Sequence, residues 1–335
     1  MLAETPISVI YARVLSSLFV CNNMLIMSEV LKTILSHAVS SRGEAIIGLE
    51  PLADSGEVNS VFLVTTDSQK LVARVNQAQE LARFQKEEWC INQAVRVGVR
   101  SPQVISVGSE GDTAYMLIEH VDGQRADKES VDQETVWRNL GQYAKQIHSV
   151  SVSGFGEELS DLTDGSLRKW DDYLAYNLVS LDGEDELQRR GIITGAGARQ
   201  LQAHFKGLSE TEFRFGLSHG DLSLTNAIMT DGEVCLIDWG SAAGHIVPHY
   251  DLGVILTDSI SEDSKEFEQV LEGYELSRED FDDIKEEIKS LMLLIATDKV
   301  RWALERSPDS LDSTIQYLHK MLAWKSGPSL LRQSK

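Results

Sequence analysis

Residues 217–240 read LSHGDLSLTNAIMTDGEVCLIDWG, and the fold and chemistry of the chain are both decided there. A short polar loop carries His219, Gly220 and Asp221, and Asn226 follows five positions after the aspartate. Ala227, Ile228 and Met229 then form an apolar strand, Asp231-Gly232 a turn, and Val234, Cys235, Leu236 and Ile237 a returning strand. Asp-Gly between two apolar runs predicts a hairpin, because the primed turns that join antiparallel strands need residues tolerant of positive φ. The returning strand ends at Asp238, which the hairpin brings back beside Asn226 with Asp221 just upstream. Two carboxylates and an amide oxygen therefore converge on one spot.

That set suits transfer of a phosphoryl group from ATP. A cation bridging phosphates wants hard oxygen ligands, which Asn226 and Asp238 can supply as a Mg2+ pair. An acceptor hydroxyl needs a carboxylate to take its proton, which Asp221 can provide. Protein kinases carry Asp-Leu, three free positions and Asn in the catalytic loop, followed by Asp-Phe-Gly. Here Asp221-Leu222 and Asn226 keep the spacing, and Asp238-Trp239-Gly240 stands in place of the second element. The His-Gly-Asp opening resembles the aminoglycoside phosphotransferase and choline kinase family of small-molecule kinases.

Working upstream, Ile46 to Leu49 and Val61 to Val64 read as strands separated by a small polar turn at Ser55-Gly56 and Asn59-Ser60. Such a turn can lay backbone N–H groups along phosphates, which nominates Ser60; it can equally be a plain hairpin. A second turn near Asp67-Ser68 leads to the strand Leu71-Val72-Ala73-Arg74-Val75. Arg74 interrupts an apolar strand, where a cation is costly unless paired. The resemblance places the phosphate-gripping cation there, as arginine where protein kinases have lysine; an edge-strand arginine facing water is the alternative. A helix from about residue 79 to 97 follows. On it Glu87 shares a face with Ile91 and Ala94, so Glu87 is the expected partner of Arg74, with Glu88 as its rival.

Gly98-Val99-Arg100-Ser101-Pro102 resembles the family's link into the next strand. Residues 115–123 read as a buried strand entering a polar turn. By resemblance this is the hinge, where the backbone of Glu119 and Val121 would recognise the adenine ring; a connector without ligand contact is the alternative. Beyond it, Val136, Leu140, Tyr143, Ala144 and Ile147 describe an amphipathic helix closing on His148, read as a structural hydrogen-bonding residue. Residues 157–215 are acidic and irregularly helical, with Trp170, Asp171, Asp172 and Tyr173 prominent. Asp171 and Asp172 could meet a cationic acceptor or form a solvated face. Tyr250-Asp251-Leu252 matches another family element, which implies that Asp251 hydrogen-bonds the catalytic loop. Phe281, Ile284, Ile288, Leu291 and Leu294 predict a late helix.

The fold expected from all this is α+β and two-lobed, like a protein kinase. An N-lobe at 28–120 would hold an antiparallel sheet with one helix, and a mainly helical C-lobe at 121–335 would carry the catalytic hairpin. Residues 1–27 read as an extension preceding a helix capped by Ser28. Thirty-one basic against 52 acidic residues leave a net charge of −21 over 335 residues. Such a surface disfavours nucleic acid and anionic membranes and draws cations inward. Cys21, Cys90 and Cys235 show no metal-ligand spacing, which suits a reducing cytoplasm. The expected partner is a small-molecule hydroxyl acceptor: an aminoglycoside or related amino-sugar compound, with choline or a sugar as alternatives. A nucleotide-binding regulator without turnover is the reading from a different class.

Overall fold

The computed structural model describes residues 31–40, 42–52, 59–165, 168–181 and 185–326. The expected turn at 53–58, the cap at Ser28 and the extension at 1–27 lie outside these residues. The chain groups into two compact units. One contains the chain up to Phe84 together with Gln103–His120, and the other contains Gln85–Pro102 and everything from Val121 onward.

The first unit is a five-stranded antiparallel sheet of β1 (Ile46–Pro51), β2 (Ser60–Thr66), β3 (Lys70–Gln77), β4 (Val104–Glu110) and β5 (Thr113–Glu119). The strands lie in the order β1-β2-β3-β5-β4. Strand alternation sorts its residues. Leu71, Ala73 and Val75 of β3 pack with Val64 and Leu117 against Leu31, Leu35 and Val39 of a helix over residues 31–40, α1. Arg74 falls on the opposite face of β3. Its neighbours are Val61 on β2 and Met116 on β5, so it lies on the central strand and the edge-strand alternative is excluded.

Helix α2 (Leu81–Arg96) begins in the first unit and continues in the second. The second unit then runs through β6 (Gln124–Arg125), α3 (Gln133–His148), α4 (Leu159–Thr163), α5 (Arg168–Val179), α6 (Glu186–Arg189) and α7 (Gly195–Ser209). After these come β7 (Phe215–Ser218), β8 (Ala227–Thr230), β9 (Glu233–Leu236) and β10 (Ala243–Ile246). It closes with α8 (His249–Asp258), α9 (Lys265–Tyr274), α10 (Arg278–Arg306) and α11 (Leu311–Ser326). Asp132, Ser264 and Ser277 cap α3, α9 and α10 by accepting a backbone N–H of the first turn, which replaces a partner the helix cannot supply itself. Helices α3 and α9 approach through glycine: a Cβ on Gly273 would stand 1.9 Å from the Arg138 carbonyl oxygen. The middle of α10, from Ile288 to Thr297, is buried throughout and forms the spine of this unit. Among the described residues no helix is long and apolar enough to cross a membrane.

Candidate active site

The expected hairpin is present. β8 and β9 pair antiparallel from Ala227↔Leu236 to Thr230↔Glu233, and both turn residues have positive φ, 52° at Asp231 and 81° at Gly232. It is held from outside at several points. The Tyr143 hydroxyl of α3 donates to the Val234 carbonyl at 2.6 Å. Leu236 donates its N–H to the Arg100 carbonyl at 2.9 Å, and the Arg100 guanidinium meets Glu233 at 2.7 Å. The indole N–H of Trp239 reaches Ser101 Oγ at 3.0 Å. The Gly-Val-x-x-Pro link thus serves as an anchor for the hairpin.

The loop at 219–223 leaves β7 through a glycine that nothing else could replace. Gly220 has φ +79°, and a Cβ there would lie 2.4 Å from the Ser241 carbonyl oxygen. Both the conformation and the close approach demand its hydrogen side chain. His219 is fully buried. Its Nδ1 accepts the Asp221 N–H at 3.3 Å, and its Nε2 lies 3.2 Å from the Ile237 carbonyl, a partner that can only accept. These two contacts define the neutral tautomer with the proton on Nε2. Burial lowers the His219 pKa in the same sense, against the opposing pull of Asp251, Asp221 and Asp238. The ring also meets Trp239 edge-on at 4.7 Å, so His219 ties the loop to the segment after the hairpin.

Asp251, in the first turn of α8, is the anchor beneath the loop. Wholly buried, it accepts the N–H groups of His219 at 3.0 Å and Gly220 at 2.7 Å, and lies 2.9 Å from His148 Nε2. His148 Nδ1 in turn meets the Tyr274 hydroxyl at 2.9 Å. Burial raises the Asp251 pKa, but the hydrogen bond with His148 and the Gly220 N–H, with the electrostatic influence of the neighbouring imidazoles, outweigh it and leave the carboxyl below its ordinary value. His148 thereby sits where a structural hydrogen-bonding residue should.

Asn226 meets Asp221 directly, and the residue before Asp238, Ile237, donates its N–H to the Asn226 carbonyl at 2.9 Å. Asn226 is nearly buried, and its Nδ2 donates to Asp221 Oδ2 at 2.7 Å and to the Asp221 carbonyl at 3.0 Å. With Nδ2 committed, the amide oxygen is the atom left to face a cation. Asp238 follows β9 in the left-handed region, φ 59° and ψ 72°, a costly conformation for a residue with a side chain. One amide oxygen and one carboxylate are hard donors of the type Mg2+ takes. They fill only part of an octahedral shell, which leaves positions for phosphate and water oxygens.

The remaining nominated residues lie elsewhere on the fold. Glu87 is 4% exposed whereas Glu88 is partly exposed, so helix phase turns Glu87 inward. The Arg74 guanidinium lies 5.9 Å from the centroid of the Phe84 ring. Ser60 is the exposed first residue of β2, with Val75 as its strand partner. Glu119 ends β5, where its N–H bonds the Gln103 carbonyl at 2.9 Å, and Val121 begins the longer segment of the second unit. Asp171 and Asp172 are exposed on α5.

A group that sequence reading did not nominate lines another part of the second unit. Phe155 sits at ring-centroid distances of 5.0–5.5 Å from His245, Trp170 and Tyr173, and His245 stacks on Tyr250 at 3.8 Å and 11°. Burial raises the Tyr173 hydroxyl well above its ordinary pKa and the charge of Asp298 adds to this, while the Asp298 carboxylate accepts Asn177 Nδ2 at 3.3 Å. Burial raises the Asp298 pKa although Asn177 and Arg301 oppose it. The Tyr250 hydroxyl is held protonated by burial and then by the charges of Asp251, Glu157 and Asp221 among others. Tyr250, at the edge of this aromatic wall, therefore feels the charge of Asp221. The wall's one visible signal was the aromatic pair flanking Asp171 and Asp172.

Comparison with known proteins bears on the whole arrangement. The profile of the phosphotransferase enzyme family (APH) matches residues 49–286. A probable ketoamine kinase of Synechocystis sp. is 26% identical over 198 residues, covering 55% of this chain and 63% of that protein. A probable ketoamine kinase of Staphylococcus aureus is 25% identical over 214 residues, covering 59% of this chain and 70% of that protein. The match thus spans less than two thirds of the Synechocystis protein's length. Among solved structures, a thermostable mutant of aminoglycoside phosphotransferase APH(4)-Ia, in a ternary complex with ADP and hygromycin B, aligns with a TM-score of 0.62. It is 16% identical, and the alignment covers 86% of this chain and 97% of that one. That likeness carries the two-lobed kinase-like fold, an antiparallel sheet unit and a mainly helical unit. With the family profile spanning the sheet, the hairpin and the start of α10, the chain belongs to the phosphotransferase enzyme family.

Proposed function

We propose that the protein moves the γ-phosphoryl group of Mg-ATP to a hydroxyl of an amine-bearing sugar derivative. The observation that carries this reading is the Asp221–Asn226–Asp238 constellation on one loop and hairpin. Asn226 Nδ2 fixes one oxygen of Asp221, and the other is available to a substrate hydroxyl. In the proposed step the hydroxyl oxygen bonds to the γ-phosphorus while the bond to the β,γ-bridging oxygen breaks. The hydroxyl proton passes to Asp221 and ADP leaves. Asn226 and Asp238 would hold Mg2+, which neutralises phosphate charge when bound. Arg74, steadied by Glu87, would grip the phosphates, Ser60 would border them, and the backbone of Glu119 and Val121 would meet adenine. Catalysis would then be mainly positioning and charge stabilisation.

The acceptor class rests on separate observations. Relatives in sequence are named ketoamine kinases, and a structural neighbour holds an aminoglycoside. Both kinds of compound join hydroxyls to amines. An aromatic wall backed by Glu157 and Asp298 suits an ammonium group, which is drawn to ring faces and carboxylates. A ketoamine is the first acceptor to test and an aminoglycoside the second. The ATP donor and the buried free thiols Cys90 and Cys235 fit the reducing cytoplasm. Purified protein incubated with Mg-ATP and each acceptor, followed by mass spectrometry of the small molecule, tests the reading. Phosphorylated ketoamine or aminoglycoside supports it, and ATP-dependent transfer to neither class overturns the acceptor assignment.

A further inference from the structure

Lys86 and Glu87 are neighbours on α2, and both are buried, at 5% and 4% exposure. Glu87 has an expected role; Lys86 was given none. Its ammonium donates to the Gly240 carbonyl at 2.8 Å and the Ala242 carbonyl at 2.7 Å. A lysine kept from water at this depth is costly unless its donors are used, and here two of the three go to backbone either side of Ser241.

The Gly240 carbonyl belongs to the short turn at Trp239–Ser241 that follows Asp238, and Ala242 is the residue that closes that turn. Asp238 holds a left-handed backbone that persists only where the surroundings over-determine it. Before it, the Ile237 N–H is fixed to the Asn226 carbonyl at 2.9 Å. After it, Trp239 is tied to Ser101 and Lys86 grips the chain at Gly240 and Ala242. The same grip sets the Ser241 carbonyl, against which Gly220 packs too closely for any Cβ. One ammonium thus braces the backbone of the metal-binding segment and the surface on which the catalytic loop rests. Lys86, within Gln85–Pro102, shares the compact unit of the hairpin, as such a brace requires.

We propose that Lys86 is a positioning residue that holds Asp238 in the geometry needed to bind magnesium with the nucleotide. The proposal rests on the phosphotransferase reading and is tested by binding rather than turnover. Calorimetry with ADP, with and without Mg2+, gives the gain in affinity due to the metal. Wild type should show that gain, and Asp238→Ala should abolish it. Lys86→Met should cut it about tenfold, the size of one charge-assisted hydrogen bond, while metal-free ADP affinity stays near wild type. Lys86→Met added to Asp238→Ala should change nothing further, because Lys86 acts through Asp238. If Lys86→Met does not fold, Lys86→Gln carries the same expectation with one donor group retained on a shorter chain. A metal-dependent gain unchanged in the Lys86 variant, or a loss equal with and without Mg2+, overturns the role of Lys86 alone. A wild type without any metal-dependent nucleotide binding overturns the phosphotransferase reading itself.

Discussion

The catalytic hairpin and the aromatic wall of the second unit are built in opposite ways. The hairpin site draws Asp221, Asn226 and Asp238 from 18 consecutive residues, joined by a turn whose geometry the sequence spells out. The wall draws Phe155, Glu157, Trp170, Tyr173, His245, Tyr250 and Asp298 from segments far apart in the chain. The first constrains chemistry shared by many acceptors, so its spacing is rigid. In the proposed reading the second would select one acceptor, and any side chains of suitable shape and charge can be assembled for that purpose. Reaction type and acceptor identity are therefore written in different places and with different legibility.

The comparison can be broken at either end. The largest effect should come from Asp221→Asn, which is expected to lower turnover by a factor of about 10²–10⁴, the usual worth of a general base, while leaving nucleotide affinity intact by calorimetry. Gly220→Ala should cost about 3 kcal/mol in denaturant unfolding, because φ +79° is strained for alanine and the Ser241 carbonyl blocks its Cβ. Asp298→Asn should raise the acceptor KM about tenfold with ATP KM unchanged, since it removes a charge behind the wall and nothing at the hairpin. An equal effect on both KM values would merge the two regions into one site.

Acid should expose a subtler difference. His219 and His245 are neutral in the fold because burial depresses their pKa, that of His245 to about 3. Unfolding lets each bind a proton at its ordinary pKa near 6.5, so the unfolded state holds more protons below that pH. Stability is complete above pH 6.5 and falls, for each histidine, by up to about 1.4 kcal/mol per pH unit on the way to its folded pKa. Asp251, depressed below its ordinary value, adds a loss that begins only below about pH 4. Unfolding curves of His245→Gln between pH 7 and 4 should be flatter than those of wild type. The smallest effect belongs to Asp171→Ala and Asp172→Ala, exposed positions expected to change stability by no more than about 0.5 kcal/mol.

What was legible follows from the same contrast. Local chemistry announced itself: Asp231-Gly232 gave the turn, the apolar runs on either side gave β8 and β9, and Tyr250-Asp251-Leu252 marked the carboxylate beneath the loop at 219–223. Helix phase could be narrowed only to Glu87 or Glu88, since a helical register one residue off still matches a short apolar stripe. The inward turn of Glu87 also buries Lys86, and nothing in its sequence neighbourhood shows that two distant carbonyls await it. Tyr173 and Asp298 are 125 positions apart, a pairing that only packing of α5 beside α10 creates. Asp171 and Asp172 attract notice by charge, yet they are exposed, and it is Tyr173 beside them that joins the aromatic cluster.

In the proposed mechanism a catalytic carboxylate on the loop before the hairpin, Asp221, drives transfer to an amine-bearing alcohol. Its most direct test is ADP release by purified protein with Mg-ATP, measured across ketoamines, aminoglycosides, choline-like alcohols and plain sugars, for wild type and Asp221→Asn. The account predicts acceptor-dependent turnover in wild type, strongest with a ketoamine or an aminoglycoside, and its near-complete loss in the variant. Tight nucleotide binding with no acceptor-dependent turnover, or turnover that survives Asp221→Asn, would contradict it.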